Sequence, residues 1–254
     1  MKKLIMGFAM MAAASAFAVQ GTLSTESETL TGNIRWQSRG KQYVISVKKG
    51  QTMLDMERKL DDVVKLDIPK PAGYDKAVQA VEAGQGASAI PVLAKIVSDY
   101  RMLVWDKPAG RYLALAYLAS GNAQKAYEAC LPIVSEDKSA GYSGDLAAAY
   151  WQSLLKLGKR EQLESLLKKA VSSGDRQASA AALVMRGDII VASKDSPETL
   201  KQALRDGYLR VVLMYQDEEC RRERSEAMLK AAGCFDKLGQ KQRGETLRAQ
   251  AKGV

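Results

Sequence analysis

Two hydrophobic periods divide the chain. From Leu30 to Ile68 apolar residues tend to fall at every second position. Leu30, Ile34 and Trp36 alternate with Thr31, Asn33, Arg35 and Gln37; Tyr43, Ile45 and Val47 flank Val44 and Ser46; Val64, Leu66 and Ile68 share a third face. A period of two marks a half-buried strand, and Ser38 to Gly40 and Lys48 to Gly50 supply turns. With a further strand at Thr52 to Glu57, residues 29–71 are expected to form a small antiparallel β-meander of four strands, which Pro69 and Pro71 end. The preceding Val19 to Glu28 is short and polar and is expected to be a flexible N-terminus. Beyond Pro71 the period becomes helical. The run Tyr112 to Val134 is an apolar helix, a Gly121-Asn122 break and a second helix in which small Ala126 permits close packing. Glycines at the same mid-hairpin place, Gly84, Gly121 and Gly158, recur every 37 residues, Gly239 closes the series, and Lys194 stands in the fourth hairpin. A helix pair of this size cannot bury its own apolar faces and must stack on neighbours, so 72–254 is expected to be a helical repeat domain.

The central hairpin carries Leu113, Ala114, Tyr117, Gly121, Ala126, Cys130 and Ile133 in an order that resembles the tetratricopeptide repeat (TPR). The next keeps Trp151, Leu154, Gly158, Leu163, Leu167 and Ala170; an earlier half-repeat shows Gly84, Ala89, Leu93 and Ile96; the last shows Ala231, Ala232, Phe235, Gly239 and Gly244. The fourth departs most: Gly187 and Ile190 fit, but Pro197 opens a second helix running to about Tyr215, with Ser196 as its cap. The resemblance implies an α+β, mainly α chain, a right-handed TPR-like helix-hairpin solenoid preceded by the β-meander, and it implies protein binding. The order of turns in the meander resembles small SH3-like or Sm-like barrels, and a docking or self-association role is expected of it.

The first 18 residues change the setting. Lys2 and Lys3, an apolar run and the triplet Ala16-Phe17-Ala18 make a secretory signal peptide cleaved before Val19, too short for a permanent span of about 20 apolar residues. The product is expected to be soluble, periplasmic or secreted, with a formal charge reduced from +9 to +7 by loss of the two lysines. Export turns a basic surface away from nucleic acid and toward anionic lipids, acidic glycans and cell-wall polymers, although a solvated lysine-rich helix surface is the expected reading. Three cysteines, Cys130, Cys220 and Cys234, are an odd number for an oxidising compartment. Cys220 and Cys234 are expected on two arms of a hairpin roughly 15 Å apart, beyond disulfide reach. Buried free thiols are therefore expected, with a bridge to Cys130 or to another molecule as the alternative.

The chain contains no histidine, which removes the commonest general base and most zinc and copper sites. It has no CxxC pair, no P-loop and no glycine-rich dinucleotide turn. No cofactor, metal or catalytic residue is nominated; Asp217, Glu218 and Glu219 form an acidic cluster, but Arg221, Arg222 and Arg224 follow directly, which reads as a charged, solvent-exposed helix junction. In TPR proteins the first helix of each pair lines the concave side. By register the groove-facing candidates are Arg111, Leu115 and Leu118, then Gln152, Leu155 and Lys156, then Asp188 and Asp236. For Trp105, at the start of its helix, packing in the core is expected, with an aromatic platform for a sugar or peptide partner as the alternative. This mixed, partly apolar set suits a helix or extended peptide more than a charged polymer, the alternative being that Leu115, Leu118 and Leu155 are buried by the β element or a second subunit. The expected role is a non-enzymatic exported scaffold of the bacterial envelope, self-association being one option; the alternative is a cell-wall or glycan-binding module using the basic surface and Trp105.

Overall fold

The computed structural model describes residues 17–194 and 196–253. The expected signal peptide, 1–18, lies outside them except for Phe17 and Ala18. The chain divides into two units, one ending at Pro69 and taking in Asp99–Leu103, the other made of Lys70–Ser98 and the residues from Val104 onward.

The first unit is a five-stranded antiparallel sheet of β1 (Val19–Thr25), β2 (Thr29–Gln37), β3 (Gln42–Lys49), β4 (Thr52–Lys59) and β5 (Val63–Asp67), in the order β4-β3-β2-β1-β5. The stretch expected to be a flexible N-terminus is thus in large part a strand, and an interior one, paired with β2 and β5. Leu23 is fully buried. Its polar neighbours lie on the other face in cross-strand hydroxyl pairs, Thr22 with Thr31 and Ser24 with Thr29, each 3.1 Å apart. The sheet is also no simple meander. β4 and β5 occupy opposite edges although only the turn Leu60–Asp62 joins them. Such a link spans at most about 14 Å, whereas four strand spacings in a flat sheet measure about 19 Å. The sheet must curl to bring its edges together. Glycines permit the tight interior: a Cβ on Gly21 would sit 2.8 Å from the Asp67 carbonyl oxygen, and one on Gly32 2.3 Å from that of Ser46. Within the curl Leu23, Ile34, Trp36, Tyr43, Ile45 and Ile68 are buried, as are Met102 and Leu103 of the returning segment. Trp36 and Tyr43 meet edge to face at 4.9 Å, and the Tyr43 hydroxyl donates to the Met102 carbonyl at 3.0 Å.

The second unit is a succession of helix hairpins: α1 (Tyr74–Glu82) with α2 (Gly86–Asp99), α3 (Asp106–Ala119) with α4 (Ala123–Glu136), and α5 (Ala147–Lys156) with α6 (Arg160–Ser172). Then α7 (Arg176–Ser193) pairs with a long helix, α8 (Pro197–Ala203) running through a π turn at Leu204–Tyr208 into α9 (Leu209–Met214); α10 (Arg221–Lys237) pairs with α11 (Lys241–Lys252). Gly84, Gly121, Gly158 and Gly239 end first helices with φ between 69° and 76°, left-handed backbone that glycine adopts without a Cβ clash. Lys194 keeps the place but not the geometry: its backbone is extended (φ −163°), and the next helix restarts with Ser196 accepting from the Thr199 amide. The residues carrying the repeat pattern form the core; Ala114, Ala126, Cys130, Trp151, Leu154, Leu163 and Ala170 are all fully buried. The Trp151 indole donates to the Gly141 carbonyl at 2.9 Å, so its burial leaves no orphan donor.

The π turn has a steric origin. A Cβ on Gly207 would lie 2.7 Å from Gly187 Cα, and one on Gly187 2.4 Å from the Tyr208 ring. Backbone meets backbone where α8–α9 crosses α7, and the wider turn accommodates the approach. One expectation about the cysteines fails. Cys220 immediately precedes α10 and Cys234 lies within it, so the two stand at opposite ends of one helix, about 21 Å apart along its axis, not on two arms of a hairpin. All three cysteines are free and buried, and burial pushes the Cys130 thiol up to about 12. Among the described residues no helix is long and apolar enough to cross a membrane.

Candidate functional site

The first helices α1, α3, α5, α7 and α10 pack side by side in that order. A narrow groove of about 90 Å³ runs over α3, α5, α7 and α10, with Arg111, Leu115, Gln152, Met185 and Asp188 meeting Arg222, Glu223 and Glu226. Four residues expected at the groove, Arg111, Leu115, Gln152 and Asp188, therefore line one surface.

The other expected residues are elsewhere. Leu118 and Leu155 are half-buried against the repeat core, where their apolar side chains are shielded by neighbouring helices. Lys156, in the last turn of α5, is exposed and outside the groove lining. Asp236 forms an ion pair with Arg248, which ties α10 to α11. Trp105 precedes α3 and packs edge to face on Tyr74 at 5.2 Å, and Tyr74 meets Tyr112 at 6.4 Å, so the indole is part of an aromatic cluster and not a free platform.

On α10 the register points to Asp236, whereas the groove is lined by Arg222, Glu223 and Glu226. The charged run is solvated only in its outer part, where Asp217 accepts from Arg176 and Glu218 pairs with Arg221 at 3.1 Å. Glu223, between two of the arginines of that junction, is 2% exposed. Its carboxylate accepts from Arg222 at 2.9 Å, and Gln177 lies 3.4 Å away. The signal was spacing: Glu223 stands four residues before Ala227 and eight before Ala231, on the stripe that faces inward.

Each groove carboxylate is held by the protein itself. Asp188 accepts from the Tyr208 hydroxyl at 2.8 Å and from Lys230, which also reaches Glu226 at 2.9 Å. Burial pushes Asp188 above the usual carboxylate range despite these bonds. Burial alone would lower Lys230, but the carboxylates of Asp188 and Glu226 outweigh it and hold the ammonium up. Arg111 differs. Its guanidinium lies over the Tyr112 ring at 5.1 Å, and among the described residues it forms no ion pair. The groove thus offers one uncommitted cation beside Leu115, with its own acids neutralised.

A possible metal-ligand set is Asp217, Glu219 and Cys220, whose ligand atoms lie within 4.8 Å of one another. Asp217 is engaged by Arg176, and burial raises the Cys220 thiol, which disfavours the thiolate a metal would need. These are the features of an ion-paired helix junction.

No protein-family model matches the chain, and no curated protein does. Among solved structures it is similar to a "Podosopora anserina" putative kinesin light chain with nearly identical TPR-like repeats, and to a single-substitution variant of the same protein. Identity is 16% in both cases, the match covers 72% of this chain and 92% of the other, and the TM-scores are 0.44 and 0.45. These structural neighbours are TPR-like repeat proteins.

Proposed function

We propose that this chain is a non-enzymatic scaffold, exported to the envelope of a Gram-negative cell, which holds a protein segment in the groove of a right-handed TPR-like solenoid. The observation that carries the reading is the groove's polar inventory. Asp188, Glu223 and Glu226 are neutralised within the protein, while Arg111 stands uncommitted beside Leu115. A segment presenting an acidic group next to an apolar side chain would satisfy both. Export is supported by the leader sequence and by a first strand that starts at Val19, the residue after the expected cleavage point. The packing of Trp105 on Tyr74 favours a structural role for that ring over a sugar platform.

The test is affinity capture from the native envelope with the protein and its R111E/Q152E variant, using K156E as a charge-altering control outside the groove. Capture of defined proteins that is lost in R111E/Q152E and kept in K156E is the expected result. Equal capture by all three removes the groove from the account, and salt-sensitive co-sedimentation with peptidoglycan in place of protein capture would replace it with the cell-wall reading.

A further inference from the structure

A second recess opens on another side of α7. It measures about 420 Å³ and is walled by α6 (Glu164, Leu167, Lys168) and by the helix of α8 and α9 (Gln202, Asp206, Arg210), with Arg186, Ile189 and Ile190 of α7 between them. At 100° per residue these α7 positions point roughly 130° away from Ala181, Met185 and Asp188 of the first groove, so the two surfaces are separate. The size is within the range of roughly 300–1,000 Å³ typical of ligand sites.

The π turn shapes this wall. Gln202, Asp206 and Arg210 are four residues apart and straddle Leu204–Tyr208. In a regular α-helix each such step drifts forward by about 40°; a π turn takes up an extra residue, which holds the three side chains on one line facing the recess. The close approach of Gly207 to Gly187 sets this helix hard against α7 and fixes the width.

The charges are unbalanced. Asp206 is occupied by its neighbour, accepting from Arg205 Nε at 2.8 Å and from Nη2 at 3.1 Å, and that bond holds its carboxyl below the usual range. Lys168, Arg186 and Arg210 are exposed, and among the described residues none of them forms an ion pair. Three cations surround half-buried Ile189 and Ile190, of which Arg210 is near enough to Asp206 to help lower its carboxyl, and they face one acid without an ion pair among the described residues, Glu164.

We infer that this recess is a second docking site, for an acidic protein segment that places one apolar side chain on Ile189 and Ile190 and its flanking carboxylates against Lys168, Arg186 and Arg210. Arginine takes a carboxylate through two parallel hydrogen bonds, which gives direction as well as charge. The lining has no aromatic ring on which a base could stack, so a nucleic-acid strand is the poorer fit. A concave floor likewise offers nothing projecting to enter a membrane.

The experiment is fluorescence anisotropy with the whole protein and a labelled hexapeptide, Glu-Glu-Leu-Leu-Glu-Glu, against the same peptide with lysine for glutamate. The variants are R186E/R210E and, with an equal charge change on exposed residues of α11, K241E/K252E; circular dichroism checks that both fold. All are measured in the R111E background, because an acidic, leucine-bearing peptide also meets the demands of the first groove; there the acidic peptide is expected to bind with a salt-dependent affinity that falls tenfold or more on adding R186E/R210E and changes less than twofold on adding K241E/K252E. Equal losses in both double variants would reduce the effect to net charge and overturn the site. No binding of the acidic peptide, or stronger binding of a single-stranded oligonucleotide to the same residues, would also overturn it. Because R111E belongs to the first groove alone, failure here and failure of the groove are distinguishable.

Discussion

Replacing Asp188 by alanine should loosen the joint between α7, the π turn and α10. The carboxylate accepts from two groups on two other elements, the Tyr208 hydroxyl and the Lys230 ammonium. Tyr208 is 3% exposed, so without Asp188 its hydroxyl is left in the interior with no acceptor, at about 1–3 kcal/mol. Lys230 keeps Glu226. Its own loss is therefore nearer that of a partly screened pair, about 1 kcal/mol. Together the substitution should cost about 3 kcal/mol, which for a chain of this length lowers the melting temperature by about 9 °C. The assay is thermal unfolding of D188A, Y208F and the double variant. Once the hydroxyl is gone, removing the carboxylate strands nothing, so the double variant should be less destabilised than the sum of the singles by about 1–2 kcal/mol. A melting temperature within about 2 °C of the parent for D188A, or strictly additive effects, would refute this account of the cluster.

Three further outcomes follow from the same geometry. Gly207→Ala should destabilise by about 1–3 kcal/mol in chemical denaturation, because its Cβ would meet Gly187 backbone at 2.7 Å; an unchanged midpoint would show that the crossing can open. All three cysteines should resist a thiol reagent in the native protein and react once it is denatured, given their burial and the raised thiols of Cys130, Cys220 and Cys234; rapid native labelling would contradict the packing. Asp175 is held low by the Ser143 hydroxyl and the Ala178 amide, and at Asp137 burial pushes upward but is outweighed by hydrogen bonds from Lys107 and Ser139. Folded values below unfolded ones stabilise above the ordinary carboxylate pKa of about 4 and lose that contribution as pH falls through them, so the part these two residues supply should be constant from about pH 5 to 7 and be lost below about pH 4, where the fall in stability should be less steep in D175N. A curve of the same steepness in D175N would exclude that residue.

What could be read in the letters was whatever repeats or alternates. Gly84, Gly121, Gly158 and Gly239 sit where left-handed turns are needed, and the small residues Ala114 and Ala126 sit where helices approach, because those demands are local and recur. The first strand escaped because its exposed face is hydroxyl-rich and only Leu23 is a large apolar residue in its interior; being inside the sheet is a matter of pairing, which one strand's composition does not record. The π turn arises from two glycines twenty residues apart in sequence, and the long helix looked regular. At the groove, register on each first helix located Arg111, Leu115, Gln152 and Asp188 but could not tell which side chains the next helix would cover, so Leu118 and Leu155 were over-read and Glu223 was missed.

The central claim is that the groove over α3, α5, α7 and α10 receives a protein segment, and site-specific photo-crosslinking in living cells tests it most directly. A photoreactive amino acid at Leu115 or Gln152 should yield discrete adducts of fixed mass, and the same group at exposed Lys252 on α11 should yield none. No adducts from the groove positions, or the same adducts from all three, would contradict it.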